Sequence, residues 1–350
     1  MRPPLASAVV TDEELHDRLA TWLADHFGRP VALDPFVVPG HGGFSNETRL
    51  TTIDWGDGPH RIVLRLAPSG PGLFPRYDLD RQADVIERLR AHSDVPVPEV
   101  LWRERDPAVL GRPFYVMAHV EGRIPPDRPG YQFDGWVKDL PPDDQARFLD
   151  TGLATIASIH HVDWAAAGLG DLDRPEHGDG ALAQELGYWR AYLDWASGSE
   201  RFGELEAIWK WLSARCPPEP AERALVWGDA RFGNMVFGDD LGVRAVFDWE
   251  MAVLGPPELD LGWYLFLERT ALRFTKPLPG FVDPEGMVAI YERHLGRPVE
   301  HLDWYEMWGG FRAACIQVPL ITLAHAHGEV PNLDARDRNP LTAALRERMH

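Results

Sequence analysis

Leu225-Val226-Trp227-Gly228-Asp229-Ala230-Arg231-Phe232-Gly233-Asn234, followed some distance on by Phe247-Asp248-Trp249-Glu250, is the stretch on which the fold turns. Moving a phosphoryl group to an alcohol needs a carboxylate that orients the hydroxyl or accepts its proton. It also needs hard oxygens that hold Mg²⁺ on the phosphates. Asp229 suits the first task, and Asn234 and Asp248 suit the second. Between them, Met235 to Phe237 and Val243 to Phe247 are apolar runs joined by Gly238-Asp239-Asp240-Leu241-Gly242, a turn composition. A short hairpin is therefore expected to return Asp248 to Asn234. Taken singly, an Asp can cap a turn and an Asn can sit in a bend; the reading rests on their order and spacing together.

Upstream, Thr11 followed by Glu14 reads as a capping box that opens an amphipathic helix with Leu15, Leu19, Trp22, Leu23 and Phe27, which Gly28 stops. Strand-like runs follow at Ala32 to Val38, Asn46 to Ile53 and Arg61 to Leu66, with a glycine-rich turn at Pro39-Gly40-His41-Gly42-Gly43-Phe44-Ser45. A helix is expected from Asp78 to Ala91, then strands at Glu99 to Arg103 and Pro113 to Val120. Beyond Gly122 the pattern turns helical, at about Asp143 to Val162, Leu182 to Ala196, Leu259 to Leu272 and Trp304 to His325. Ile124 to Pro142, rich in Pro, Asp and Gly, reads as a surface loop or a lid. The expected architecture is α+β and two-lobed: an antiparallel β lobe with one inserted helix over residues 1–118, and a larger, mainly α lobe over 119–350.

The 350 residues, 45% of them hydrophobic, are enough to bury a large core. Lys and Arg number 35 against 54 Asp and Glu, a net charge of −19, which disfavours a nucleic-acid or anionic membrane partner. Cys216 and Cys315 lie far apart and in no metal-type spacing, so a disulfide framework is not expected. With no targeting or membrane-spanning run, a cytoplasmic protein is expected. No P-loop, Gly-x-Ser-x-Gly elbow or Cys pair is present, which argues against P-loop NTPases, serine hydrolases and zinc fingers. His325 and His327 read as a polar helix end rather than metal ligands.

The five-residue step from Asp229 to Asn234, with a hairpin leading to Asp248, is the arrangement of a kinase catalytic loop and its metal-binding Asp. Together with Gly42-Gly43-Phe44-Ser45-Asn46-Glu47-Thr48, Gly111 to Met117, Ile156 to His160 and Asp248 to Trp263, the chain resembles the aminoglycoside phosphotransferase and choline kinase-like family. Its closest likeness is to the branch fused elsewhere to acyl-coenzyme A dehydrogenases, and the resemblance spans nearly the whole chain. It implies a protein kinase-like fold, with Asp229 as catalytic base and Asn234 and Asp248 as Mg²⁺ ligands. It also implies that Asp260 braces the catalytic loop, that Gly42, Gly43, Ser45 and Asn46 cover the phosphates of ATP, and that Met117, at the lobe connection, belongs to the nucleotide site. His160 then falls at a structural position near the catalytic loop.

Three positions depart from the family pattern. Arg65 stands where a lysine would meet the phosphates; Gln82 replaces its Glu partner and is expected to accept from Arg65; Trp227 replaces a His. Only the eleven residues from Trp249 to Leu259 separate Asp248 from Asp260, too few for a peptide-docking segment, so a small hydroxyl-bearing acceptor is expected. The expected activity is ATP-dependent transfer of the γ-phosphoryl group to that hydroxyl; the alternative is a nucleotide-binding pseudokinase acting as a binding module. Oligomeric state is not legible.

Overall fold

In the computed structural model, residues 10–39, 46–127 and 129–349 are described. Helix α1 (Asp12–Phe27) starts where Thr11 accepts a hydrogen bond from the Glu14 N–H and ends at Gly28 in the left-handed conformation. Five strands then form one antiparallel sheet, β1 (Ala32–Leu33), β2 (Glu47–Asp54), β3 (Pro59–Leu66), β4 (Val100–Glu104) and β5 (Phe114–Ala118), in the order β1-β2-β3-β5-β4. Helix α2 (Leu79–His92) is inserted between β3 and β4, and α3 (Pro107–Leu110) is a single turn before β5. Alternation along β3 and β5 divides their side chains between two faces. Ile62, Leu64, Leu66, Phe114 and Val116 pack with Leu15, Leu19 and Leu23 of α1. The intervening Val63, Arg65 and Tyr115 belong to the opposite face. Thr48, Arg65 and Tyr115 are register partners across β2, β3 and β5.

The remaining chain is mainly helical: α4 (Pro142–His160), α5 (Ala181–Ser197), α6 (Gly203–Ser213), α7 (Glu258–Leu272), α8 (Pro284–Leu295), α9 (Leu302–Ala326) and α10 (Pro340–Glu347). Between α6 and α7 run β6 (Ala224–Val226), β7 (Met235–Phe237), β8 (Val243–Val246) and β9 (Val253–Gly255), paired as β6 with β9 and β7 with β8. The four long helices expected from periodicity form within two residues of their expected ends. The β6–β9 pair was not expected, because three residues in each strand are too few to display a period of two. Nor were α6, α8 and α10. Among the described residues, no helix is long and apolar enough to cross a membrane.

Candidate active site

The β6–β9 ribbon delivers Trp227, Gly228 and Asp229 to the junction of the sheet and the helices. Gly228 has φ 92°, and a Cβ there would run into the Met251 carbonyl, so only glycine fits this approach. The peptide groups around it are held from both ends. Asp260, in the first turn of α7, accepts the N–H groups of Trp227 and Gly228, each at 2.7 Å. From α9, Arg312 Nη2 donates to the Gly228 carbonyl at 2.8 Å. Asp260 also meets His160 Nε2 at 3.0 Å, while the Tyr291 hydroxyl lies 2.7 Å from Nδ1 of the same ring. All of these side chains are buried. The Trp227 indole N–H reaches the carbonyls of Phe247 and Asp248, at 3.1 and 3.2 Å. Tryptophan at this position thus ties the loop bearing Asp229 to the segment bearing Asp248.

On the open side of the loop, the Asn234 amide donates to Asp229 Oδ2 at 2.8 Å, and Arg231 Nε donates to both Asp229 oxygens at 3.1 and 3.0 Å. Asp248 adopts the left-handed conformation, φ 65°, uncommon for a residue with a side chain but tolerated by Asp. Its carboxylate meets Arg65 Nη2 at 3.4 Å, a pair that bridges the sheet and the helical part of the chain. Burial pushes the Asp248 carboxyl up, against the pull of Arg65, and the nearby charge of Asp229 adds to the rise. Burial alone would lower the Arg65 guanidinium, but Asp248, Tyr115 and Glu250 together outweigh it and it remains a cation.

Arg65 Nη1 donates to Thr48 Oγ1 at 2.9 Å. Gln82 is not where the sequence argument put it in the network: its Oε1 accepts from the Asn46 amide at 3.4 Å, and the same amide reaches Glu250 Oε2 at 3.1 Å. The neutral glutamine does not compete with Asp248 for Arg65, because an ionised partner binds a guanidinium more strongly. Met117 lies on β5, paired in register with Val63 and Val100. Gly42, Gly43 and Ser45 lie outside the described residues. Asn234 is thus bonded to Asp229 and Arg65 to Asp248, the charge of Asp229 is felt at Asp248, and Asn46 and Gln82 are bonded to each other.

Four residues escaped sequence reading. Arg231 lies on the quoted loop, two positions past Asp229, where a cation could have been noticed. Its Nη1 is bonded to Asp127, which comes from the stretch expected to be a surface loop or lid. That stretch is anchored: Arg123 and Phe237 exchange backbone hydrogen bonds, both 2.8 Å, and Tyr131 stacks on Phe232 with ring centroids 5.9 Å apart. Tyr131 and Gln132 both donate to the buried Glu268 of α7, whose carboxyl is pushed by burial up to about 7. Glu250 and Arg312 complete the four. The aromatics Trp189, Tyr192, Trp263 and Trp308 are buried, and Trp136 is partly buried.

The oxygens present fit Mg²⁺, a hard ion that takes one or two protein ligands and completes its shell with phosphate and water. Asp248 offers a carboxylate. Asn234 uses its amide nitrogen on Asp229 and has its carbonyl oxygen as the remaining polar atom. Among the described residues, no group of three or more His, Cys, Asp or Glu could hold a metal by itself.

A small antiparallel sheet carrying a buried cation, set against a helical body that presents an Asp, an Asn and a second Asp around a hairpin, defines a protein kinase-like phosphotransferase. Residues 37–299 match the phosphotransferase enzyme family, the one abbreviated APH, and the chain belongs to that family. The Arabidopsis thaliana protein named Probable acyl-CoA dehydrogenase IBR3 is 31% identical over 322 residues, 86% of this chain and 38% of its own length. Acyl-CoA dehydrogenase family member 11 of Gallus gallus is 32% identical over 207 residues, 59% of this chain and 25% of its own. The chain thus spans about a third of the length of such relatives. A Ralstonia eutropha protein assigned to the aminoglycoside phosphotransferases superposes with TM-score 0.70 at 24% identity, covering 94% of this chain and 97% of that one. Aminoglycoside phosphotransferase APH(4)-Ia, solved with AMP-PNP and hygromycin B, superposes with TM-score 0.56 at 16% identity, over 94% of this chain and 98% of its own.

Proposed function

We propose that the chain transfers the γ-phosphoryl group of ATP to a hydroxyl of a small molecule. The observation that carries this reading is that two bonded pairs, Asn234 on Asp229 at 2.8 Å and Arg65 on Asp248 at 3.4 Å, stand close enough at the junction of sheet and helices for the charge of Asp229 to act on Asp248. Residues 1–118 form the nucleotide-binding lobe and 119–350 the catalytic and acceptor-binding lobe. Arg65 neutralises phosphate charge, Asn46, Gln82 and Met117 line the nucleotide side, and Gly42, Gly43 and Ser45 supply a turn that covers the phosphates. When bound at Asp248 and Asn234, Mg²⁺ supplies charge neutralisation on the phosphates. Asp229 orients the acceptor hydroxyl and takes its proton as the acceptor oxygen bonds to the γ-phosphorus, while the bond from that phosphorus to the β,γ-bridging oxygen breaks and ADP leaves with the electron pair. The structure with AMP-PNP among the fold neighbours supports a nucleotide donor, and the short connection from Asp248 to Asp260 supports a small acceptor.

Calorimetry with ATP, with and without Mg²⁺, tests the donor side: the wild type should bind more tightly with Mg²⁺, and Asp248→Ala should lose that difference. Mass spectrometry of a library of small alcohols incubated with enzyme and Mg²⁺·ATP tests the acceptor side through an added phosphoryl mass. Equal affinity with and without Mg²⁺ in both proteins refutes the metal assignment. Binding without transfer to any alcohol or to water identifies a nucleotide-binding module instead.

A further inference from the structure

The proposed reaction gives tasks to Asp229, Asn234, Asp248 and Arg65 but none to Arg231 and Asp127. Arg231 Nε is shared between the two oxygens of Asp229, at 3.1 and 3.0 Å, and Nη1 is held by Asp127. The two carboxylates come from different parts of the chain, Asp229 from the catalytic loop and Asp127 from the loop that follows β5. That second loop is fixed over the first. Its backbone is bonded to Phe237, Tyr131 lies on Phe232, and a Cβ built on Gly233 would collide with the Asp127 carboxylate. Burial alone would lower the Arg231 guanidinium, but Asp229 and Asp127, with Asp248 behind them, outweigh it and fix the positive charge.

A guanidinium paired only with Asp229 would shield that oxygen pair from an acceptor hydroxyl and resist leaving it. One tethered at its far end by a second carboxylate can give up its contacts to Asp229 while keeping a partner. Its freed N–H groups then face the place where three phosphoryl oxygens carry the charge of the loose transition state. The geometry points to Asp127 as a positioning residue of phosphoryl transfer: it holds one end of Arg231 so that the guanidinium passes from Asp229 to the phosphoryl group in flight. This inference rests on the proposed function. It adds an arginine that touches the transferring group and a loop carboxylate that acts through it.

Binding of Mg²⁺·ADP, alone and with aluminium fluoride as a mimic of the transferring phosphoryl group, tests this without an identified acceptor. Wild type should bind the fluoride complex more tightly than Mg²⁺·ADP. Arg231→Met should weaken the fluoride complex by about 10²-fold, the range seen on removing one donor to a developing charge, and leave Mg²⁺·ADP nearly unchanged. Asp127→Asn should weaken it by roughly ten-fold, and the double variant should be no weaker than Arg231→Met alone, since the two residues act as a unit. Asp127 is partly exposed, so its amide should fold; Gly233→Ala, which displaces the carboxylate and keeps it, should reproduce the loss. Asp127→Glu should restore part of it. Wild-type affinity of Asp127→Asn for the fluoride complex, or additive losses in the double variant, would overturn the inference. A wild type that binds Mg²⁺·ADP no more weakly than the fluoride complex also overturns it while leaving nucleotide binding intact. One that binds neither refutes the proposed function as well.

Discussion

The loop of residues 227–234 has two sides built on opposite principles. Beneath it, Asp260 accepts two backbone N–H groups and is itself met by His160, which Tyr291 backs in turn, all out of contact with water. Above it, Asp229, Arg231 and Asp127 are linked side chain to side chain, Arg65 and Asp248 form a second ion pair, and Arg231 and Asp127 keep about a third of their side-chain surface exposed. Below, polar groups are spent on backbone atoms that never change partner, so geometry is fixed. Above, every charge is balanced by another that a ligand can replace. Support and the proposed reaction are thereby separated within one short segment, and substitutions on the two sides should fail in different ways.

The largest effect should come from the reactive side. Asp229→Asn keeps the shape and removes the base, and should lower phosphoryl transfer, or slow ATP hydrolysis where no acceptor is at hand, by about 10²–10⁴-fold with ATP affinity little changed. Wild-type turnover would break the distinction by showing that Asp229 belongs with the support. Asp260→Ala, on the buried side, should instead act first on folding. It strands two backbone donors and a histidine, each unpaired group costing about 1–3 kcal/mol, so a loss of roughly 3–5 kcal/mol is expected in urea unfolding.

Arg65→Ala should weaken Mg²⁺·ATP binding by about 10–100-fold in calorimetry, the cost of one charge-assisted hydrogen bond, and should also lower fold stability, because the buried Asp248 carboxylate loses its partner. The smallest effect sharpens the comparison through pH. Glu268 anchors the loop that carries Asp127, and its carboxyl sits near 7 in the folded protein against an ordinary 4.5. A raised carboxyl contributes stability that is fully present below the unfolded value and is lost as pH rises towards 7. Glu268→Gln, which keeps an acceptor for Tyr131 and never ionises, should gain on wild type across that window, by on the order of 2 kcal/mol between pH 4.5 and 7 and no further above it. A Tm difference independent of pH would show that Glu268 is already ionised in the folded chain.

Legibility followed the range of the interactions. The four long helices were read from apolar spacing because burial of one face imposes it locally. α6 carries the same signal in Leu205, Ile208 and Leu212 and could have been read. Arg65 was set at the phosphates by the family resemblance, and strand alternation between Leu64 and Leu66 turns it to the face opposite α1 in the structure. Its partner was misread. Gln82 was chosen by analogy of position, whereas the cation found the nearest ionised oxygen, on Asp248, 183 residues away in sequence.

By itself the sequence determined the β-rich part followed by long helices, the two-lobed α+β plan and the residue types that phosphoryl chemistry demands, because periodicity, turn composition and motif spacing are properties of neighbouring residues. Only the tertiary structure decided that Arg65 pairs with Asp248, that Arg312 from α9 holds the Gly228 carbonyl, and that Asp127 reaches across 104 positions to hold Arg231. Charge pairing at a distance is selected by which groups the packed core leaves side by side. No local pattern records that outcome.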